Sequence, residues 1–177
     1  TLYCRNQSCI NGNLQPLSWV HLEAQLDQNG AMAYFRCKYI EPLVTKRSFK
    51  GSLAGLPSTL CPKPSSLRHF VELANSLKYQ ELKVFLAEVI LQPSVAIKYI
   101  TCPASINFHH HYAGGLSEHA VDVAARLASG YLMNQQQRDI AVVAALLHDI
   151  GKTQTLTAEL TRTSVGYLVD HGDLTLE

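Results

Sequence analysis

At residues 140–152 the sequence reads IAVVAALLHDIGK. The first eight residues of this stretch are apolar on every side of a helix, which predicts a helix at the centre of a helical bundle. His148 and Asp149 follow the apolar run, and Gly151 is predicted to stop the helix in a left-handed conformation. An ionised carboxylate beside apolar helices requires a cation or a hydrogen-bond partner. The stretch therefore predicts a helical core with two ligand-type side chains at its end.

Helical periodicity continues toward the N-terminus. His119 lies three residues after Leu116 and four before Val123, so it should face the bundle interior. Apolar residues recur at helical spacing in three segments: Leu67, Phe70, Val71, Ala74 and Leu77; Leu82, Phe85, Leu86, Val89 and Ile90; Leu116, Ala120, Val123, Ala124 and Leu127.

The N-terminal part of the chain alternates between apolar and polar residues, as a half-buried sheet does. Residues 20–26 place Val20, Leu22, Ala24 and Leu26 on one face. Asn29-Gly30 predicts a two-residue hairpin turn. With Gln28 opposite Ala31, the predicted register pairs Leu26 with Ala33, Ala24 with Phe35, Leu22 with Cys37, Val20 with Tyr39 and Glu23 with Arg36. Residues 53–56 are a candidate for a further strand.

The proline-rich segment at residues 61–66 separates the two patterns. We therefore predict an α+β chain, with a small β-rich module over residues 1–62 and an all-α helical domain over residues 63–177. Five cysteines, an odd number, indicate a reducing, cytoplasmic compartment rather than a disulfide framework. Because the chain begins at Thr1 and ends at Glu177 within a helical pattern, we expect it to be a piece of a longer protein.

Charge and hydropathy bear on whether the chain binds nucleic acid or a membrane. The formal net charge is +1 and 16% of the residues are charged, which neither supports nor excludes a nucleic-acid substrate. The longest apolar run, residues 140–147, is far shorter than the roughly 20 residues that cross a bilayer, so no membrane association is expected. The N-terminal module also offers a basic strip with aromatic residues nearby: Arg36, Lys38, Lys46, Arg47 and Lys50, with Tyr34, Phe35 and Phe49. Such a strip is typical of a surface that stacks the bases of single-stranded nucleic acid, and it is equally typical of a solvated sheet face. The oligomeric state is left open.

His119, His148 and Asp149 form a mixed imidazole and carboxylate ligand set. Such a set suits a divalent metal, one or two ions of Mn²⁺, Fe²⁺, Zn²⁺ or Mg²⁺, with the first three preferred over Mg²⁺. A metal of this kind activates water and polarises phosphoryl oxygens, which points to phosphoester hydrolysis. Lys152, about one turn beyond, can neutralise charge on the phosphate.

These residues resemble a known family. His119 and the string ALLHDIGK at residues 145–152 are similar to the HD superfamily of metal-dependent phosphohydrolases. Residues 103–119, PASINFHHHYAGGLSEH, resemble two of its branches: bacterial 3′-to-5′ exoribonucleases that join an OB-type β module to an HD domain, and conjugative relaxases of the HD type. The resemblance covers about residues 66–177 and implies an OB-like N-terminal module followed by an HD bundle.

The resemblance also implies roles for individual residues. His119, His148, Asp149 and His171 would bind metal, Asp149 and Lys152 would be catalytic, and His110, His111, Gly115 and Lys152 would contact the substrate. A later Asp and a His pair are expected beyond Glu177. The implied activity is a phosphohydrolase or phosphodiesterase, such as a nuclease, acting on nucleic acid or nucleotides.

Simpler readings exist for each residue. His171 is also compatible with an exposed helix start, and Lys152 with a solvated lysine that stabilises a helix end. The three rings of His109, His110 and His111 cannot all face one point in an extended segment. For the whole chain, the alternatives are a relaxase-like DNA-transfer protein and a catalytically inactive HD sensor or interaction module.

Overall fold

The computed structural model describes residues 20–29, 32–42, 53, 56–130 and 133–176. The chain divides into two compact units, Thr1–Arg47 and Ser48–Glu177. The predicted boundary after residue 62 lies inside the second unit. Cys61, just before that boundary, is buried, and its Sγ lies 3.9 Å from Ile100 O. The proline-rich segment thus packs on the helices that follow it. The division into a β-rich module over residues 1–62 and a helical domain over residues 63–177 stays a prediction.

The first unit contains an antiparallel hairpin of β1 (Val20–Asn29) and β2 (Met32–Pro42). Leu26 lies opposite Phe35 and Ala24 opposite Cys37, so the predicted register, which paired Leu26 with Ala33, is wrong. Over residues 24–29 the observed register is shifted by two residues, which keeps the same residues on each face. An irregularity between Glu23 and Ala24 then places Tyr39 opposite Glu23, so the predicted pairing of Tyr39 with Val20 on the apolar face is also wrong.

The pairs on the outer face of the hairpin also differ from the predicted ones. Gln25 rather than Glu23 lies opposite Arg36, and the guanidinium of Arg36 forms a 2.6 Å ion pair with Asp27. Lys46, Arg47, Phe49 and Lys50 of the possible basic strip lie outside the described residues.

The strand considered for residues 53–56 is not found in the part of this segment that the structure describes. Leu56 N donates to Leu53 O at 3.0 Å, a bond from residue i+3 to residue i that is typical of a turn. Residues 54 and 55 lie outside the described residues. The OB-like form of the N-terminal module stays a prediction, whereas the order of a small antiparallel sheet followed by a helical region is confirmed.

The second unit is helical. Its described elements are α1 (Pro64–Ser76), α2 (Gln80–Ile90), α3 (Ala96–Thr101), α4 (Gly115–Ala128), α5 (Gln135–Leu147), α6 (Lys152–Thr155) and α7 (His171–Thr175), with 3₁₀ turns at Ser58–Leu60 and Val165–Tyr167. α4 packs against α1, α3 and α5. The core between these helices is formed by fully buried side chains, among them Phe70, Leu86, Ile90, Tyr99, Ile100, Leu116 and Leu146. None of the described helices is long and apolar enough to cross a bilayer.

α5 begins at a capping box, in which Asn134 and Gln137 accept hydrogen bonds from each other's backbone N–H groups. One face of this helix is buried through Val142, Val143 and Leu146, but Ile140 is 50% exposed. The prediction that the helix is enclosed on all sides is therefore wrong. An apolar run of eight residues does not reveal which of its faces a neighbouring helix covers.

Candidate metal centre

Hydrogen bonds fix the C-terminal end of α5. The hydroxyl of buried Tyr99 donates to Leu146 O at 2.6 Å, and Ile150 N donates to Leu147 O at 2.9 Å. His148 Nδ1 lies 2.8 Å from Ala145 O. Because a carbonyl oxygen accepts hydrogen bonds and does not donate them, Nδ1 must hold the proton. Three of the carbonyl groups that end the helix are thereby satisfied, and His148 presents Nε2 to the site.

Gly151 does not have the predicted left-handed conformation. Its φ of −57° and ψ of −21° are right-handed, and the chain continues directly into α6. The glycine is instead needed for a close contact, since a Cβ at this position would lie 2.1 Å from His171 O. Gly151 N also donates to Thr175 Oγ1 at 3.1 Å. This contact holds α7 against the α5–α6 junction and brings His171 beside Asp149.

The four predicted ligands meet at Asp149. His148 Nε2 lies 3.3 Å and His119 Nε2 lies 3.7 Å from Asp149 Oδ2, while His171 Nε2 lies 3.4 Å from Oδ1. One ligand atom each from His119, His148 and Asp149 lies within 4.8 Å of the others. Imidazole and carboxylate groups at this separation are suited to one divalent ion. Their role as ligands stays a prediction.

The hydrogen-bond geometry tests whether this group suits a cation. With its proton on Nδ1, a neutral His148 directs the lone pair of Nε2 toward Asp149 Oδ2, which is also an acceptor. Two acceptors 3.3 Å apart repel each other unless a proton or a metal ion lies between them. His148 and Asp149 therefore fit a bound cation better than they fit the neutral imidazole alone.

The pKa values reflect the same arrangement. Burial of Asp149 opposes its ionisation, but hydrogen bonds and charges from His148 and Lys152 outweigh it and hold the pKa of this carboxyl well below its usual value. The hydrogen bond that a protonated His148 donates to Asp149 raises the pKa of His148, so a proton on Nε2 and a metal ion are alternatives at this position. Burial lowers the pKa of His119, which favours the neutral imidazole that a metal requires.

Lys152, at the start of α6, also contacts the carboxylate. Its Nζ lies 2.7 Å from Asp149 Oδ2, and the side chain lines two clefts beside the centre. Lys152 is therefore not simply a solvated lysine at a helix end, because its ammonium group is paired with Asp149 and its side chain is only 16% exposed. Contact with a phosphate and a role in catalysis stay predictions for Lys152.

The neighbouring histidines of the cluster before α4 lie in different surroundings. His110 has a φ of 55°, and its ring lies near Glu118, Asp122 and the hydroxyl of Tyr112. The ring centroid also lies 5.4 Å from that of His119. His111 is exposed, with Nδ1 2.5 Å from Phe108 O. A substrate contact of either residue stays a prediction.

Gly115 serves the packing of this loop. A Cβ on Gly115 would lie 2.1 Å from His110 O, and Gly115 N donates to Tyr112 O at 2.9 Å. The preceding Gly114 has a φ of 81°, which favours glycine. The Gly-Gly pair thus lets the histidine loop lie directly on the start of α4, and the predicted substrate contact of Gly115 stays a prediction.

Two clefts adjoin the centre. The smaller, of about 250 Å³, is lined by Ala104, Ser105, Phe108, His109, His119 and Lys152. The larger, of about 310 Å³, includes Ala104, Ser105, Phe108, Lys152, Arg162 and His171 in its lining. No role was predicted from the sequence for His109, Phe108 or Arg162. The His cluster was a signal for His109, but no local pattern marks Phe108 or Arg162, which the fold brings to the site from separate loops.

Comparison with known proteins gives two matches. Residues 116–175 match the family model described as the HD domain. The chain is 34% identical over 103 residues to a protein of Methanocaldococcus jannaschii named dihydroneopterin 2′,3′-cyclic phosphate phosphodiesterase, an alignment that covers 49% of this chain. This chain spans 40% of the length of that relative. No solved structure matches the chain significantly.

The exoribonuclease and relaxase branches stay predictions. The matched segment includes all four residues that meet at Asp149, as well as Lys152. The candidate metal centre thus lies entirely within the segment that matches the HD domain.

Proposed function

We propose that the helical unit is a metal-dependent phosphodiesterase that hydrolyses phosphoesters of nucleotides or nucleic acid. The main support is that His148 Nε2 faces Asp149 Oδ2 at 3.3 Å beside His119, within a segment that matches the HD domain. The name of the relative, a phosphodiesterase, points to the same reaction class.

The proposed roles follow from the contacts. A divalent ion held by His119, His148 and Asp149 would supply Lewis acidity and an activated water. Asp149 is ionised at neutral pH because its pKa is held low, so it is ready to bind a cation. The hydrogen bond to Ala145 O fixes His148 in the tautomer that presents Nε2. His171, 3.4 Å from Asp149 Oδ1, is proposed as a further ligand.

Lys152 is proposed to bind the phosphoryl group. Its ammonium group is held near the centre by Asp149 and lines both clefts, so it can stabilise negative charge that develops on phosphoryl oxygens. A phosphodiester has two substituents, and two clefts that share Lys152 offer a place for each. This arrangement favours a diester over a monoester.

A cyclic phosphate is the second candidate substrate. The Methanocaldococcus jannaschii relative is named for a 2′,3′-cyclic phosphate, a small phosphodiester. A small cyclic diester also agrees with clefts of about 250 and 310 Å³. Because this chain spans 40% of that relative, the substrate of the whole protein is part of the proposal.

The test measures metal content and hydrolysis together. Purified protein with Mn²⁺, Fe²⁺, Zn²⁺ or Mg²⁺ is expected to hydrolyse bis-p-nitrophenyl phosphate. His148→Ala should lower the rate by more than about 100-fold, because loss of groups that only orient metal ligands already costs about 10–100-fold. His69→Ala is the matched control, since His69 is an exposed histidine on α1 and lies outside the cluster.

Other outcomes would identify the alternatives. Cleavage of DNA oligonucleotides without hydrolysis of small diesters would favour the relaxase-like protein. Stoichiometric metal without hydrolysis of bis-p-nitrophenyl phosphate, cyclic nucleotides or oligonucleotides would contradict the proposal and favour the inactive sensor. A cytoplasmic location is proposed as well, and fractionation of the source cells would test it.

A further inference from the structure

The larger cleft has a chemistry different from that of the metal centre. Its walls include the apolar side chains of Ile106, Leu156 and Val169, together with the ring of Phe108. Lys152 and His171, which belong to the centre, line the same cleft. A ligand held by its phosphate near Lys152 would therefore have an apolar surface within reach.

Hydrogen bonds hold the walls of this cleft in place. Ser105 Oγ accepts from Phe108 N at 3.0 Å and donates to His109 O at 3.0 Å, which fixes the loop around Phe108. On another wall, Leu156 pairs with Arg162 in an antiparallel bridge, and Arg162 donates to Gly166 O at 2.7 Å. The cleft is thus largely formed before a ligand arrives.

Phe108 indicates what the cleft would bind. The residue is 73% exposed although it lies in a loop fixed by hydrogen bonds, so its ring is presented to solvent at the cleft. Exposed aromatic rings beside cationic groups are suited to stacking against flat bases. One N–H of Arg162 is bonded to Gly166 O, but the guanidinium has further donors and the polar Asn107 also lines the cleft, so both can hydrogen-bond the edge of a heterocycle.

We propose that the cleft around Phe108 binds a flat nitrogen heterocycle, such as a nucleobase, whose attached phosphoester is directed toward Lys152 and the metal centre. The direction of the phosphoester rests on the proposed function, but binding of the ring requires no metal. Phe108 also borders the smaller cleft, but that cleft lacks Ile106, Leu156 and Val169 and is instead lined by His109 and His119, so it is left for the other substituent of the diester.

Calorimetric titration of the metal-free protein tests ring binding separately from hydrolysis. Adenosine 3′-monophosphate and uridine 3′-monophosphate should each bind at least about tenfold more tightly than ribose 5-phosphate, which has no base. The two nucleotides also show whether the cleft prefers a two-ring or a one-ring base.

Variants of two phenylalanines locate the effect. Phe108→Ala should remove most of the difference between the nucleotides and ribose 5-phosphate, whereas Phe108→Trp should retain it. Phe85→Ala is the matched control, because Phe85 is an exposed phenylalanine on α2 that lines neither cleft.

Equal affinity for ribose 5-phosphate and the nucleotides would overturn the proposal, as would equal losses in the Phe108→Ala and Phe85→Ala variants. Hydrolysis of bis-p-nitrophenyl phosphate, measured on the metal-loaded protein, separates the two proposals. Ring-dependent binding without hydrolysis would overturn the proposed function alone. Hydrolysis without any preference for a base would overturn the ring site alone.

Discussion

Asp149 and Glu118 are both carboxylates with a lysine and histidine beside them, yet their surroundings differ. Asp149 is buried, with its side chain 9% exposed, and faces Lys152 and the Nε2 atoms of three histidines. Glu118, whose side chain is 27% exposed, accepts a short hydrogen bond from the Tyr112 hydroxyl and lies 3.8 Å from Lys63 Nζ.

The difference lies in where the protons are. At Glu118 a hydroxyl proton already lies between Tyr112 and the carboxylate, so the acceptor is satisfied without another group. At Asp149 the Nε2 lone pair of neutral His148 faces the carboxylate, so either a proton on Nε2 or a metal ion must lie between them. Residue types alone therefore do not distinguish the two carboxylates; the hydrogen bonds made by the neighbouring side chains do.

The largest expected effect comes from neutralising each carboxylate. Asp149→Asn should lower the affinity for Mn²⁺ or Zn²⁺ by more than about 100-fold, because it removes an anionic ligand rather than a group that orients one. Glu118→Gln should leave metal affinity within a few-fold of the wild-type value. Isothermal titration with each metal measures both, and equal losses in the two variants would show that the centres are not distinct.

Lys152→Met distinguishes metal binding at Asp149 from stabilisation of the phosphoryl group by Lys152. The ammonium of Lys152 competes with a metal for Asp149 Oδ2, so its removal should leave metal affinity unchanged or increased. The kcat/KM for bis-p-nitrophenyl phosphate should nevertheless fall by about 100-fold, as expected when one donor to a developing anion is lost. If metal affinity falls in parallel with activity, Lys152 supports the ligand geometry rather than the phosphate.

Gly151→Ala and Gly115→Ala introduce the same steric clash, one beside Asp149 and the other in the loop beside Glu118. Each new Cβ would lie 2.1 Å from a backbone oxygen, His171 O for Gly151 and His110 O for Gly115. Both variants should lose about 1–3 kcal/mol of stability. Only Gly151→Ala is expected to weaken metal binding, by several-fold, because it displaces His171. Thermal unfolding with and without metal compares them, and an equal effect of metal on both would contradict this assignment.

The sequence predicted those parts of the fold that depend on local periodicity. The apolar stripes at α1, α2 and α4 follow from spacing within single segments, as do the separate positions of His119 and of His148-Asp149. His171 was predicted only from the family resemblance. The six-residue α3, which supplies Tyr99, was missed because so short a helix shows too little periodicity.

Contacts between distant segments were not predictable in the same way. The conformation of Gly151 depends on His171 O, twenty residues away in the chain, and no local pattern encodes that approach. Likewise, the apolar alternation does not fix the hairpin register, since sliding one strand by two residues keeps every side chain on its face, and no local pattern marks the irregularity between Glu23 and Ala24.

The smallest expected effect is the pH dependence at Glu118. The hydrogen bond from Tyr112 is the main reason that the pKa of Glu118 is lowered, and the pKa of Tyr112 is raised to about 12, so the hydroxyl remains a donor. A carboxyl whose folded pKa is depressed stabilises the fold fully above its unfolded pKa of about 4.3, and this stability is lost as the pH falls through the folded value.

Tyr112→Phe should therefore cost about 1 kcal/mol of stability at pH 7, the net contribution of a typical hydrogen bond. The difference from the wild type should shrink as the pH falls below about 4, because a protonated Glu118 no longer gains from the tyrosine hydroxyl. Urea unfolding at pH 7 and pH 3 measures this. A difference that is the same at both pH values would mean that Tyr112 stabilises the loop through packing, and that Glu118, unlike Asp149, is not held ionised by its neighbours.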